Sequence, residues 1–210
     1  CGDHDVLISN ALSPAWSPDG TQVAFQYVNP KSGQFDGLWV ADADGSNLTP
    51  VAGSVATDRA PSWSPDGTML AFESFREGSS GIYTVDLASG EVTALLVAEQ
   101  AAYELPRWSP DGTQIAYIMR RTTTEGEVQR LYVVDAEGTN PRHVSDLNHV
   151  SSVNWSPDGT QLVVAAERAA FTSDILVVDA VEGTVTTLTE GSVDRAPVWS
   201  PDRAYIAFVR

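Results

Sequence analysis

The stretch WSPDG at residues 63–67 is one copy of a motif that recurs along the whole chain. The letters WSPD occur five times, beginning at Trp16, Trp63, Trp108, Trp155 and Trp199. Successive copies are therefore 47, 45, 47 and 44 residues apart, and all but the last continue with glycine, where Arg203 stands instead. A fixed period of this length indicates a repeat architecture built from one supersecondary unit.

Each copy of the motif is followed by patterns typical of short β-strands. In Ser-Pro-Asp-Gly, proline presets φ, aspartate suits the third position and glycine takes a positive φ, so the motif predicts a tight hairpin turn. Apolar segments such as Leu70-Ala71-Phe72 come next, and a second segment ends on aspartate, as at Asp86. Helical periodicity is absent. Four short antiparallel strands in about 45 residues, repeated, predict the blades of a β-propeller.

The predicted fold is an all-β propeller of four-stranded antiparallel blades, with four complete repeats and a partial fifth. The repeats cover approximately residues 12–51, 59–97, 104–146, 151–190 and 195–210, within a propeller spanning 5–210. Residues 1–4 form a short N-terminal tether, and residues 5–9 are a candidate closing strand. We expect the five repeated tryptophans to be buried between neighbouring blades. We expect the fifth turn to differ, since a non-glycine residue at positive φ costs about 1–2 kcal/mol.

The repeat resembles that of TolB-like propellers. The resemblance rests on Pro-x-Trp-Ser-Pro-Asp-Gly followed by Ile-Ala-Phe, Ile-Tyr-x-x-Asp and Leu-Thr patterns, with Val153 in place of the proline in the fourth unit. Such repeats occur in the Tol-Pal envelope protein TolB, in envelope lipoproteins and in propellers that precede the hydrolase domain of prolyl-oligopeptidase-like peptidases. TolB carries an α/β domain before its propeller, whereas the first repeat here begins near residue 12. Either a five-bladed ring with one thin blade forms, or the chain is the front portion of a longer protein.

The charge balance excludes several classes of partner. The chain has 28 acidic and 12 basic residues, a formal net charge of -16. Nucleic acid binding requires clustered Lys and Arg to displace phosphate counterions, so neither nucleic acid nor an anionic membrane surface is an expected partner. The one cysteine, Cys1, excludes an intramolecular disulfide and a cysteine-based zinc site. No segment approaches the roughly 18 apolar residues that a membrane span requires.

The first residues, Cys1-Gly2-Asp3, look like the mature end of a bacterial lipoprotein, in which the Cys1 thiol carries the lipid. The alternative is a fragment boundary that happens to begin on cysteine. We therefore expect a periplasmic or cell-envelope protein, with membrane attachment only through a lipid on Cys1, or otherwise a secreted protein.

Two clusters of metal-ligating residue types are interpreted as ordinary turns and loops. Residues 42–47 alternate two carboxylates before a glycine, as calcium loops do, but they lack a closing glutamate, so a hairpin turn is predicted. His143, Asp146 and His149 fall between two predicted blades, where a polar loop is expected. Gly-x-Ser-x-Gly elbows and glycine-rich phosphate motifs are absent. We therefore predict no catalytic residue, no metal site and no cofactor.

The predicted partner site is the mouth of the ring, where residues leading into each innermost strand are exposed on a rigid frame. These positions vary while the frame repeats, and they contribute Asp58, Arg59, Tyr103, Glu104, Arg107, Asn154, Asp194 and Arg195. The two Asp-Arg pairs occupy equivalent positions in the second and fifth repeats. The planar guanidinium of arginine can donate two parallel hydrogen bonds to a carboxylate of a partner. The alternative is that the aspartate and arginine of each pair bind one another beside the channel and have no role in binding a partner.

Three functions remain open from the sequence. The first is a non-enzymatic propeller that binds a protein or peptide at one face of the ring, in the cell envelope. The second is the substrate-gating propeller of a prolyl-oligopeptidase-like serine peptidase whose catalytic domain is absent from this chain. The third is a ring that acts only as a spacer. We favour the first.

Overall fold

The structure is a computed structural model that describes residues 8–76, 78–124, 126–147, 149–169, 172–191 and 193–210. Cys1, the tether and most of the candidate closing strand lie outside these ranges, so the expectations for them stay predictions. The described residues form β-strands joined by turns and loops, and they contain no helix long and apolar enough to cross a membrane.

The strands assemble into separate antiparallel sheets, one for each repeat. Blade 1 contains β1 (Ala11–Trp16), β2 (Gln22–Val28), β3 (Phe35–Asp42) and β4 (Thr49–Pro50). Blade 2 contains β5 (Arg59–Trp63), β6 (Met69–Arg76), β7 (Ser79–Asp86) and β8 (Val92–Ala98). Blade 3 contains β9 (Ala102–Trp108), β10 (Gln114–Thr123), β11 (Gly126–Asp135) and β12 (Arg142–Leu147). Blade 4 contains β13 (Val150–Trp155), β14 (Gln161–Ala169), β15 (Thr172–Asp179) and β16 (Val185–Thr187), and blade 5 contains β17 (Arg195–Trp199) and β18 (Ile206–Val209).

The topology is that of a β-propeller. Within each sheet the strands lie side by side in chain order, and the first strand of each blade packs against that of the next blade. The structure therefore confirms an all-β propeller with four complete four-stranded blades and a partial fifth. The core lies between successive blades, where fully buried side chains such as Leu38, Phe72 and Ile118 fill the space between sheets.

The Ser-Pro-Asp-Gly turn closes the first hairpin of each blade through its own side chains. In blade 2, Ser64 Oγ donates to Asp66 Oδ1 at 2.6 Å and accepts from the Met69 amide at 2.9 Å. The same carboxylate accepts from the Thr68 amide, and Gly67 takes a φ of 73°. The turn therefore satisfies these polar groups with its own residues.

The fifth turn keeps this geometry, contrary to the expectation that it differs. Arg203 takes the glycine position with a φ of 62°, and its amide donates to Ser200 O at 2.9 Å. The Arg203 guanidinium forms an ion pair with Asp158, in the equivalent turn of blade 4. This ion pair to a neighbouring blade accompanies a backbone conformation that costs a side chain about 1–2 kcal/mol.

The repeated tryptophans do not share one environment. Trp63 and Trp155 are 7% and 8% exposed, and their indole N–H groups donate to Ala15 O and Arg107 O of the preceding blades, both at 2.9 Å. Trp108 and Trp199 are partly buried. Trp16 is 58% exposed, because no blade among the described residues packs on that side of β1. The expectation of burial is therefore correct for blades 2 and 4 and wrong for blade 1.

We predict that replacing Trp63 by phenylalanine destabilises the fold far more than the same replacement at Trp16. The Trp63→Phe change removes an interblade hydrogen bond and part of a buried ring, so the free energy of unfolding should fall by about 1–3 kcal/mol. Trp16→Phe is the matched control at an exposed site and should change that free energy by no more than about 0.5 kcal/mol. Urea unfolding followed by far-ultraviolet circular dichroism measures both, and equal losses would contradict the prediction.

A second prediction concerns the turn aspartates. Hydrogen bonds from Ser109 and Thr113 lower the pKa of Asp111 below its ordinary value of 3.8. Since the folded pKa is the lower one, the stabilisation is present above the unfolded pKa and is lost as the pH falls through the folded value. Asp111→Ala should therefore cost about 1 kcal/mol of unfolding free energy near neutral pH and progressively less as the pH falls through the unfolded and then the folded pKa of the carboxyl group.

The measurement is urea unfolding of both proteins at several pH values. Glu137→Ala is the control, because that side chain is exposed and makes no hydrogen bond in the described residues. A destabilisation by Asp111→Ala that does not change with pH would show that the carboxylate charge is not its source.

Candidate functional site

The first candidate site is a cleft at the end of the ring where the innermost strands begin, opposite the Ser-Pro-Asp-Gly turns. We call it the loop cleft. It has a volume of about 590 Å³ and is lined by residues of blades 1, 2 and 3, among them Phe35, Arg59, Glu73, Phe75, Tyr103 and Arg120. Two residues of the predicted rim, Arg59 and Tyr103, therefore line one cavity.

Arg59 and Glu73 form the charged floor of the loop cleft. Arg59 Nε donates to Glu73 Oε1, and Glu73 Oε2 accepts from the Leu105 amide of blade 3 at 3.1 Å. Burial raises the pKa of Glu73 above its ordinary 4.5, although the positive charge of Arg59 opposes this shift. The Arg59 side chain is 56% exposed, so its guanidinium remains accessible to a ligand.

Glu104, the next predicted rim residue, forms an ion pair with Arg120 beside the cleft. Arg120 Nε and Nη2 donate to Glu104 Oε1 at 2.9 and 2.6 Å, and Arg120 Nη1 donates to Glu127 at 3.2 Å. The hydrogen bond to Glu104 raises the pKa of Arg120 above its ordinary value. Tyr103 packs edge-on against Tyr117 with ring centroids 5.4 Å apart. The wall formed by blade 3 is therefore fixed by its own contacts.

Sequence reasoning missed the two phenylalanines of the loop cleft. Phe35 is 51% exposed and Phe75 is 59% exposed, and both line the cavity. The available signal was an aromatic residue outside the repeated Leu-Ala-Phe pattern, since Phe75 follows the polar Glu73 and Ser74 at the end of β6. Exposed phenylalanines beside a cavity indicate a binding surface, because such large apolar groups lose contact with water on binding.

Asp58 and Asp194 are not accessible at the rim, contrary to the prediction. Asp58 is fully buried, accepts from Ser54 Oγ and the Val55 amide at 2.8 Å each, and pairs with Arg76. Asp194 is also fully buried and accepts two hydrogen bonds from Arg210, at 2.9 and 3.1 Å. Each aspartate therefore pairs with an arginine of the adjacent strand rather than with its chain neighbour, and each stabilises the entry to its blade.

The remaining predicted rim residues lie elsewhere. Arg195 is exposed, and it forms no ion pair within the described part of the chain. Arg107 and Asn154 line the central channel, whose volume is about 630 Å³. Arg107 Nη1 donates to Pro106 O and Asn154 Nδ2 donates to Pro197 O, each at 2.8 Å. Burial lowers the pKa of Arg107 below its ordinary value, although the negative charge of Glu73 opposes the shift.

The two metal-like clusters have structural explanations. The 42–47 segment is the turn between β3 and β4, where Asn47 Nδ2 donates to Asp42 Oδ2 at 2.7 Å. His143 and Asp146 lie on β12, not in a loop as predicted, and their side chains hydrogen bond at 3.2 Å. Within the described ranges, no group of three or more His, Cys, Asp or Glu side chains is arranged to hold a metal ion.

Comparisons with known proteins agree with this geometry. The family model described as the TolB beta propeller domain matches residues 7–125 and 103–210. A search of curated protein sequences found no match.

Among solved structures, TolB from Acinetobacter baumannii is 23% identical with a TM-score of 0.75, and the match covers 93% of this chain and 47% of that one. Putative TolB from Agrobacterium tumefaciens is 21% identical with a TM-score of 0.75, covering 94% and 74%. An acylaminoacyl peptidase from Pyrococcus horikoshii is 18% identical with a TM-score of 0.59, covering 90% and 34%. This chain therefore spans about half the length of the Acinetobacter protein, and at these identities the likeness shows the fold alone.

We predict that Asp58→Asn lowers the free energy of unfolding by about 3 kcal/mol, because it leaves the Arg76 guanidinium without its buried counter-charge. Asp146→Asn is the matched control, since Asp146 is 71% exposed and pairs with Arg130 at the surface. An exposed pair contributes little, so the control should lose less than about 1 kcal/mol in the same urea titration. If Asp58→Asn unfolds with the midpoint of the unsubstituted protein, Asp58 is not a structural residue.

Proposed function

The chain belongs to the TolB beta-propeller family, and on this premise we propose that it binds a peptide segment of a partner protein in the loop cleft and catalyses no reaction. The observation that supports this proposal is the combination of two exposed phenylalanines with a half-exposed arginine around one cavity. Aromatic residues and arginine are the residue types that contribute most to protein interfaces.

The dimensions of the loop cleft fit a short segment rather than a whole folded surface. A volume of about 590 Å³ lies within the range of sites that enclose a few side chains. Phe35 and Phe75 offer apolar walls to aliphatic or aromatic side chains. Arg59 already shares its Nε with Glu73, and its exposed terminal N–H groups are suited to a backbone carbonyl or a carboxylate of the segment.

The rigidity of the surrounding walls favours binding without rearrangement. Glu73 ties blade 2 to the Leu105 amide of blade 3, and Arg120 is held by Glu104 and Glu127. Because these side chains are ordered by contacts within the protein, a ligand loses less free energy to their immobilisation on binding. The net charge of -16 excludes nucleic acid as the occupant.

For the cellular location, we propose the cell envelope, with Arg195 and the loop cleft facing the periplasm or the cell exterior. Family membership supports this location. Cys1 lies outside the described residues, so the lipid anchor rests on the sequence alone.

A second function is favoured by one comparison. The Pyrococcus acylaminoacyl peptidase matches over 90% of this chain, so the propeller of a serine peptidase that controls substrate entry is an alternative role. A Gly-x-Ser-x-Gly motif downstream in the parent reading frame would favour that alternative.

We predict that peptides selected by phage display on the intact protein bind through the loop cleft. Phe75→Ala should weaken the dissociation constant of a selected peptide at least tenfold, because the change removes an apolar wall from the cavity. Arg59→Gln should weaken it by a similar factor through the loss of a charged donor. Fluorescence polarisation of the labelled peptide measures both effects, and circular dichroism verifies that the variants fold.

Matched controls lie outside the loop cleft. Tyr205 is an exposed aromatic residue of blade 5, and Arg121 follows Arg120 on β10 and so points to the opposite face of that strand. Tyr205→Ala and Arg121→Gln should leave the dissociation constant within twofold. Failure to enrich any peptide, or equal affinity in all four variants, would refute the proposed function.

A further inference from the structure

The central channel is a second cavity, distinct from the loop cleft and close to the Ser-Pro-Asp-Gly turns. Its walls come from all five repeats and consist mainly of the repeated tryptophans and the prolines on either side of them. These side chains form an apolar lining that suits the apolar part of a ligand.

Arg107 is the one charged residue among the described residues that line this channel. Its guanidinium is partly buried and donates to Pro106 O, and it has no ion pair with any carboxylate of the described ranges. Glu73 interacts with it only through the longer-range electrostatic attraction, and Glu73 already pairs with Arg59. A guanidinium has five N–H donors, so most of the donors of Arg107 are available to a ligand.

The tryptophans of the lining differ in their hydrogen bonding. Among the described residues, three buried side-chain polar atoms have no partner, and all three belong to channel residues: Trp108 Nε1, Ser152 Oγ and Trp199 Nε1. The equivalent indoles of Trp63 and Trp155 donate to backbone carbonyls, so the unpaired state is not a property of the repeat. These three atoms have almost no accessible surface, so they lie behind the lining and are not among the groups that a ligand in the channel can contact.

Ser62, also in the lining, accepts through Oγ from the Trp108 amide at 3.1 Å, which joins the innermost strands of blades 2 and 3. An arginine side chain donates hydrogen bonds and accepts none. Because Arg107 supplies the one charge of the described lining, the complementary ligand group is one that accepts hydrogen bonds and carries negative charge.

We propose that the central channel binds a carboxylate attached to an apolar body, with the carboxylate on the Arg107 guanidinium and the apolar body against the tryptophans and prolines. A carboxylate is favoured over a phosphate, because the protein carries a net charge of -16 and opposes each additional negative charge on a ligand. Two sources offer this chemistry, the C-terminus of a peptide and a small organic acid. This site does not depend on the function proposed for the loop cleft.

The test uses two pairs of probes that differ only in the charge of the terminal group. The tripeptide Ala-Phe-Leu is compared with its C-terminal amide, and 3-phenylpropionate is compared with 3-phenylpropionamide. Isothermal titration of the intact protein measures affinity, and ¹H–¹⁵N spectra follow the indole N–H signals. At least one carboxylate should bind at least tenfold more tightly than its amide and shift the Trp108 and Trp199 signals.

Variants of Arg107 locate the bound carboxylate. Arg107→Gln should weaken binding of the carboxylate at least tenfold, and Arg107→Lys should retain part of the affinity because it retains the charge. Arg121→Gln removes an exposed arginine of the same blade and should bind as the unsubstituted protein does. Phe75→Ala, in the loop cleft, should also leave carboxylate binding unchanged, so this experiment fails or succeeds separately from the peptide selection.

Each outcome decides the proposal. Binding of the tripeptide acid alone supports a peptide C-terminus, binding of 3-phenylpropionate alone supports a small acid, and binding of both supports the shared chemistry. The proposal is overturned by equal affinity for acid and amide, by unchanged binding in Arg107→Gln, or by the absence of saturable binding up to about 10 mM, weaker than about 3 kcal/mol of association free energy. If Arg107→Gln does not fold, Arg107→Lys and the comparison of each acid with its amide test the proposal in its place.

Discussion

The ring depends on the contact between the first strand of one blade and the first strand of the blade before it. In blades 2 and 4 this contact includes an indole that is both buried and hydrogen bonded to the preceding backbone. A single sheet of four short strands cannot bury both of its faces, so each blade is stable only when neighbours cover it. Trp16 illustrates the need for a covering neighbour, because this equivalent tryptophan remains exposed to solvent where no blade of the described residues covers it.

The sequence predicts the parts of this molecule that repeat. The Ser-Pro-Asp-Gly turn is local, because its hydrogen bonds join residues within five positions of one another, and so its geometry follows from the motif alone. Arg203 marks the limit of that reasoning. The cost of its positive φ was predictable, whereas its ion pair with Asp158, 45 residues earlier, depends on how two blades meet.

The candidate sites were predicted less well, since they depend on differences between repeats. Counting positions back from each repeated tryptophan placed Arg59 and Arg107 at the ring mouth. It did not separate the loop cleft from the central channel, and it treated Asp58 as accessible. Asp58 pairs with Arg76 because a loop folds over it, and loop paths have no periodic signal. The different hydrogen bonding of Trp108 and Trp63 was also beyond sequence reasoning, because the two residues are identical in the motif and differ only in the acceptor available on the preceding blade.

The turn aspartates give the channel a further property. Hydrogen bonds within the turns lower the pKa of all five carboxylates, which are Asp19, Asp66, Asp111, Asp158 and Asp202. Prolines of four of these turns line the channel, so the turn carboxylates place negative charge near that end of it, partly neutralised at Asp158 by Arg203. An anion approaching from that end meets a repulsive field that salt screens over a Debye length of about 8 Å at physiological ionic strength. Anions, including a carboxylate that binds Arg107, should therefore enter through this opening more slowly in dilute buffer than at physiological ionic strength.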